Sequence, residues 1–423
     1  MNYKKIETDH YNIHLIKTER FKTITITTTF MNKIKKDEIT KRNLLVDMLV
    51  YSCKKYPSRR DMVIKLQDLY AAQISSSCER IGNYNCIKIN MTTLNNKYTN
   101  KRNLKEAFKF LKEIIFNPHI DNGQFNEESF KINYNKIESQ IQTIKENPQK
   151  YSLIRMVESM DKKKAYSYHG FGNLKDLLQI TPHNLYNFYK KFIRTSIVDI
   201  YIIGNIDFDE SEQLIKNTFK NKFNKSQIED LTIENEQPIK IKVIKEKEKG
   251  LNQSKLSMGL KTIGLNEFEK KYVVTLYNTI LGGSFDSKFF QNIREKNSLA
   301  YYINSRVDKY DNLITIVSGI SADNFTKIVE LIKKEINNMI DGNITDEEIT
   351  IAKNFYITLL QELYDSPIAL IDSYFSMHIL GTDDINTRMK KIQEVSKDDI
   401  VNLSKKIYLD TVFLLEGDQN EEN

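Results

Sequence analysis

The chain has 423 residues, 40% apolar and 28% charged, a balance that excludes wholesale disorder. Its 63 Lys+Arg against 56 Asp+Glu leave a formal charge of +7, too thinly spread for the concentrated basic footprint of a nucleic-acid binder. Fourteen Gly and six Pro argue against collagen-like and Pro-rich architectures, and no stretch approaches the roughly 18 apolar residues that cross a bilayer.

The amino terminus, MNYKKIETDHYNIHLI, has neither the apolar core nor the small-residue cleavage site of a signal peptide, which predicts a cytoplasmic protein. Residues 10–16 and 21–30 alternate in strand fashion. A helix is predicted from near Thr40, with Leu44, Leu45, Met48 and Leu49 on one face, and Ser58 caps a second, RRDMVIKLQDLY. Two strands follow, AQISSSCER and NCIKINMTT, joined by the turn IGNYN. Long helical stretches are predicted over 101–116 and 125–160, then a helix near 182–193 feeding the apolar strand SIVDIYIIG. Cys53, Cys78 and Cys86 lack any C-x-x-C spacing and read as reduced, buried thiols, although Cys78 and Cys86 lie on successive strand-like runs that could bring them close.

Self-comparison shows an internal repeat. ITPHNLYNFYKKF (180–192) and VSKDDIVNLSKKI (395–407) align so that Thr181 matches Ser396 as an N-cap, Leu185 matches Ile400, and Phe188 matches Leu403. Each helix runs into an apolar strand that ends in glycine, Gly204 or Gly417. The hairpin-like AQISSSCERIGNYNCIKINM is echoed by YYINSRVDKYDNLITIVSGI. An offset of about half the chain is too long for a solenoid and implies two homologous α+β domains, each a mainly antiparallel sheet packed with helices. The expected domains are 1–230 and 231–423, with the break in the polar run near 224–243.

Few motifs carry chemistry on their own. His10 and His14 have metalloprotease spacing but lie in a strand pattern, with Tyr11-Asn12 where a catalytic Glu would stand, so a structural pair is expected. His119, His183, His169 and His378 have no second ligand at local metal spacing. No G-x-S-x-G elbow supports a serine nucleophile. Gly282-Gly283 reads as a helix cap and turn, or as a small-residue surface over which an extended backbone passes. Arg294 and Tyr301 lie where a helix ending near 297–298 gives way to a strand. Spacing alone is met by a surface ion pair and a core aromatic.

The run LGGSFDSKFFQNIREKNSLAYYI resembles a signature of the insulinase/pitrilysin family, which includes the mitochondrial processing peptidase. YSYHGFGNLKDLLQITPHNLYNFYKKF and IYIIGNID resemble the close of that family's first domain, so the resemblance covers essentially the whole chain. It implies two homologous half-shell domains. In active members an H-x-x-E-H helix supplies two zinc ligands and the general base, and a distal Glu supplies the third ligand. Register taken from LVYSCKKYPSRRDM places those positions on Asn43, Val46 and Asp47, and KENP places the distal pair on Ser139-Gln140, with Glu138 one residue out of register. The resemblance therefore implies a chain that binds no zinc of its own and lacks independent metallopeptidase activity, because a catalytic site needs three protein ligands and an open position. It also implies a zinc-bearing partner subunit and a peptide substrate. Arg294, Tyr301, Gly282 and Gly283 would contact the peptide and the developing oxyanion. The alternative is a structural or assembly protein derived from a peptidase, associated with peptide maturation or with modification of elongation factor P. Neither nucleic acid nor membrane is an expected partner.

Overall fold

Strands form where β-branched residues accumulate, and helices where an apolar stripe follows a capping side chain. The computed structural model describes residues 1–99, 102–220 and 223–417. In chain order come β1 (Asn2–Glu7), β2 (Asn12–Lys17), β3 (Thr23–Lys33), α1 (Ile39–Tyr51), α2 (Arg59–Asp68), β4 (Gln73–Ile81) and β5 (Tyr84–Leu94). Next are α3 (Asn103–Phe116), the short strands β6 (Ile120–Asp121) and β7 (Gln124–Phe125), α4 (Glu127–Gln142), α5 (Pro148–Met160), α6 (Leu174–Leu177), α7 (Pro182–Thr195), β8 (Ile197–Gly204) and α8 (Phe208–Thr218). The remainder comprises β9 (Lys242–Glu248), β10 (Ser254–Thr262), α9 (Val274–Asn278), β11 (Ala300–Asp308), β12 (Leu313–Ile320), α10 (Phe325–Ile340) and α11 (Asp346–Glu362). It closes with α12 (Pro367–Leu380), α13 (Ile385–Glu394), α14 (Lys397–Ser404) and β13 (Ile407–Gly417).

The chain divides into two compact units. The first takes Met1–Gln142, Gly170–Glu229 and Tyr364–Phe375; the second takes Thr143–His169, Asp230–Leu363 and the chain from Ser376. The first unit is built on a six-stranded sheet ordered β1-β2-β8-β3-β5-β4. The second is built on a five-stranded sheet that, read from its far edge, runs β9-β13-β10-β12-β11. The two orders correspond strand for strand once β1 is set aside. In both, the first pair is parallel (β2 with β8, β9 with β13) and the others are antiparallel. The internal repeat thus reaches beyond the aligned helix–strand pair to the whole topology, and the fold is α+β with two homologous sheet-and-helix halves.

The aligned residues occupy matching places. Thr181 and Ser396 each close a reciprocal capping box, with Asn184 and Asp399 as third-position partners. Leu185, Phe188, Ile400 and Leu403 are buried. β8 and β13 lie between two strands in their sheets, which explains why their sequences are nearly continuous apolar runs.

Some local expectations need correction. β1 was not anticipated, because NYKKIE is polar and pairs only along the edge, with β2. The stretch 125–160 is not one helix: it breaks at Asn147-Pro148, where the Asn147 side chain accepts from the Lys150 N–H and Pro148 opens α5. In the stretch read as helical from 101, α3 starts at Asn103, and residue 101 lies outside the described residues. Cys78 pairs with Ile87, and Cys86 with Glu79, so the two thiols point to opposite faces of the β4–β5 ribbon. All three cysteines are free; Cys53 and Cys86 are buried as expected, whereas Cys78 on the edge strand β4 is only half-buried. His14 is fully buried on β2, stacked on Tyr201 at 4.1 Å, with its Nδ1 2.7 Å from the Tyr3 hydroxyl. His10 lies in the turn before β2. No described helix is long and apolar enough to cross a membrane.

Thr181→Ala removes one half of the α7 capping box. It should lower unfolding stability by about 1 kcal/mol, read as a shifted urea midpoint with an unchanged slope.

Candidate functional site

The positions aligned with a zinc motif lie on α1. Glu38 precedes this helix, and its carboxylate accepts from the Arg42 guanidinium (2.7 Å) and the Lys191 ammonium (2.9 Å). Asn43 is buried, and its amide donates to the Ile39 carbonyl (3.0 Å) and the Gly170 carbonyl (2.9 Å). It therefore ties α1 to the loop that follows His169. Val46 is 5% exposed, packs in the core of the first unit, and has no ligating atom. Asp47 faces α4 and pairs with Lys136 at 2.9 Å. Ser139 and Gln140 are on the last turns of α4; Glu138, one residue earlier, lies close enough to Tyr134 to help raise its phenol pKa, although burial is the larger cause.

This donor set does not fit a catalytic zinc. One position is an amide whose N–H groups are committed to carbonyls, one is an alkyl group, and the one carboxylate is neutralised by a lysine. Three neutral or anionic donors and an open position are required. Among the described residues, no group of three His, Cys, Asp or Glu side chains gathers around Asp47 or Glu138.

The Arg/Tyr run lies in the second unit, beside the edge strand β11. The helical segment before it is irregular. Thr279–Gly283 and Phe290–Glu295 are π-helical turns, an expanded geometry that recurs at functional sites. Gly282 and Gly283 are the last residues of the first of these turns. Neither has a positive φ, so left-handed capping does not explain them. Close approach does: a Cβ on Gly282 would come within 2.5 Å of the Phe289 ring and 2.7 Å of Ser305 Oγ, and one on Gly283 within 2.7 Å of Asn278 Nδ2.

Gly282, Gly283 and Arg294 line one cavity of about 240 Å³, together with Phe285, Phe290, Tyr302 and Phe355. The Arg294 guanidinium stacks over the Phe290 ring at 4.7 Å and lies 3.8 Å from the Glu295 carboxylate. Phe285 is 75% exposed and meets Phe290 edge-on at 5.4 Å. Tyr301 is not part of the cavity lining. Ala300 pairs with Ile320 and Tyr302 with Gly319, so Tyr301 is the extra residue of a β-bulge, and its side chain is 66% exposed. Ser298, with φ of 51°, makes the turn into the strand. Tyr302 is the tyrosine in the cavity wall. Its hydroxyl has no hydrogen-bond partner, and burial raises its pKa to about 12. The cavity aromatics had not been singled out in the sequence, and the bulge at Tyr301 breaks the alternation that could have told Tyr301 from Tyr302.

Comparisons with known proteins agree with this architecture. Residues 179–356 match the family model described as the peptidase M16 inactive domain. A probable inactive metalloprotease of Bacillus subtilis, YmfF, is 27% identical over 408 residues, covering 96% of this chain and 95% of its own. An uncharacterized zinc protease of Rickettsia felis is 25% identical over 348 residues, covering 80% of this chain and 81% of its own. Among solved structures, a conserved protein from Enterococcus faecalis superposes with a TM-score of 0.92 at 26% identity over 100% of both chains. A peptidase M16 inactive domain from Pseudomonas fluorescens shares the fold, with a TM-score of 0.81 at 15% identity over 100% of both chains. The chain is thus similar to M16 peptidases of the inactive type, through the family model over residues 179–356 and through YmfF over nearly its whole length.

Two outcomes test these assignments. Protein loaded with zinc and desalted should hold no stoichiometric metal that disappears on Asp47→Ala or Glu138→Ala; elemental analysis finding such metal would overturn the degenerate-site assignment. Gly282→Ala should destabilise the second unit by roughly 1–3 kcal/mol through overpacking against Phe289 and Ser305, read by chemical denaturation.

Proposed function

We propose that this chain is a non-catalytic peptidase-like subunit that holds an extended peptide for a zinc-bearing homologue. The observation that carries this is the cavity of Gly282, Gly283, Arg294 and three phenylalanines at the open edge of β11. An edge strand offers unpaired backbone groups to which a peptide can add as a further strand, and an adjacent pocket then accepts one side chain. Phe285, Phe290 and Phe355 suit an apolar or aromatic side chain. The Arg294 guanidinium is a fixed fork for a backbone carbonyl or a developing oxyanion. Tyr301, held out of the strand by its bulge, is exposed and able to donate its hydroxyl to a partner-bound substrate. In this arrangement the partner supplies zinc, water and general base, and the two chains form a heterodimer for peptide processing.

A structural or assembly role without turnover is favoured by a different observation, that packing against Phe289, Ser305 and Asn278 suffices to explain both glycines. Copurification from the native cell separates the two. The processing role requires a zinc-bearing homologue in the complex and peptide hydrolysis by the mixture. Arg294→Ala should then leave the complex assembled and cut hydrolysis on the order of 100-fold, with a smaller loss for Tyr301→Phe. Unchanged hydrolysis by the Arg294 variant would remove its assigned role, and an assembled complex without hydrolysis would favour the scaffold.

A further inference from the structure

A second cavity of the second unit, of about 360 Å³, lies among residues to which no role has been given. It opens between the end of β11, the helical segment carrying Tyr272 and Thr275, α11, and the start of α13. Its volume is in the range of small-molecule sites. Its polar groups are arranged unevenly. The Arg388 guanidinium donates to the Tyr356 hydroxyl at 2.9 Å and has no ion pair among the described residues. The Lys309 ammonium donates to the Lys271 carbonyl at 2.7 Å and likewise has no carboxylate partner among the described residues. The hydroxyls of Thr275 and Thr382, which also line the cavity, are buried without a hydrogen-bond partner. The cavity's two carboxylates are otherwise engaged. Asp383 accepts from the Tyr272 hydroxyl, and Asp308 accepts from the backbone N–H groups of Tyr310 and Asp311.

Two cations without a carboxylate partner among the described residues line one partly open cavity, with two threonines beside them. Both cations are half-buried, and together they form the complement of an oxyanion. The lining also includes the rings of Tyr272 and Tyr356 with Val307 and Leu380, an apolar stretch, and a further cation, Arg306. We propose that this cavity is a binding site for a small organic oxyanion, a carboxylate or a phosphate monoester, whose charged end lies on Arg388 and Lys309 and whose body packs on the two tyrosines. Burial, reinforced by the Arg388 charge, brings the Lys309 pKa down to about 7. A bound anion would supply the counter-charge that both cations lack.

This site is separate from the β11-edge cavity and does not depend on the peptide-holding role. It is tested on the full chain by calorimetric titration with phenyl phosphate, benzoate and inorganic phosphate in separate arms. Saturable one-to-one binding of phenyl phosphate or benzoate is expected, weakened at least tenfold by Arg388→Gln and by Lys309→Met. Binding of benzoate alone identifies a carboxylate ligand, and binding of phenyl phosphate alone a phosphate ester. Should the variants fail to fold, reductive methylation of the wild-type chain gives a second readout: the bound aryl anion should slow modification of Lys309 at least fivefold relative to exposed lysines, as mapped by mass spectrometry. The proposal is overturned by any of three results: no saturable binding of either aryl anion, binding of inorganic phosphate only, or binding indifferent to both substitutions with Lys309 left unprotected.

Discussion

Each sheet is closed by a strand that arrives late in its half. β8 inserts between β2 and β3, and β13 between β9 and β10. Until that strand is in place, the strands on its two sides have no shared partner, and the sheet is split. The constraint explains features that are otherwise unrelated. The closing strands must be apolar on both faces, so they read IVDIYIIG and TVFLLEG. The helix before each must stop at a set point, so both are fixed at their starts by capping boxes on Thr181 and Ser396. The closing strand pairs parallel on one side and antiparallel on the other, which a hairpin alone cannot achieve; the long helical connections in each half are what make it possible. Because these pairings join residues far apart in sequence, each sheet carries a high loop-closure cost, and slow folding of both units follows.

Much of this was legible because the repeat recorded it. The caps, the apolar strands and the two hairpins β4–β5 and β11–β12 are local patterns that tertiary structure left alone. Three elements were not legible, each for its own reason. β1 has no apolar alternation, since it makes only an edge pairing. The Asn147-Pro148 break interrupts a stretch whose helical pattern resumes immediately, so periodicity cannot register it. The π-helical turns around Gly282 and Arg294 arise from packing, and no propensity rule anticipates them. At the candidate site, sequence register picked out Asn43, Val46 and Asp47 but not their settings: an amide bracing a loop, a core valine and a carboxylate held by Lys136. Arg294 and the glycines were found and do share a cavity. The different placement of Tyr301 and Tyr302 was hidden, because it depends on one extra residue in a ladder.

Asn43, Val46 and Asp47 on α1 are buried or half-buried, and each is committed to packing, local hydrogen bonding or an ion pair. Arg294, Phe285 and Tyr301 are exposed to different degrees on the surface of the second unit, and little in that unit's own packing requires them.

The cysteines carry a practical corollary. Cys78 and Cys86 sit one register step apart on opposite faces of their ribbon, so they cannot be bridged without rebuilding it. Burial raises the Cys53 and Cys86 pKa values and brings that of Cys78 up to about 12, leaving almost no thiolate at neutral pH. An experimenter adding a surface cysteine for fluorophore or cross-linker attachment need first replace only the half-buried Cys78, since Cys53 and Cys86 are buried.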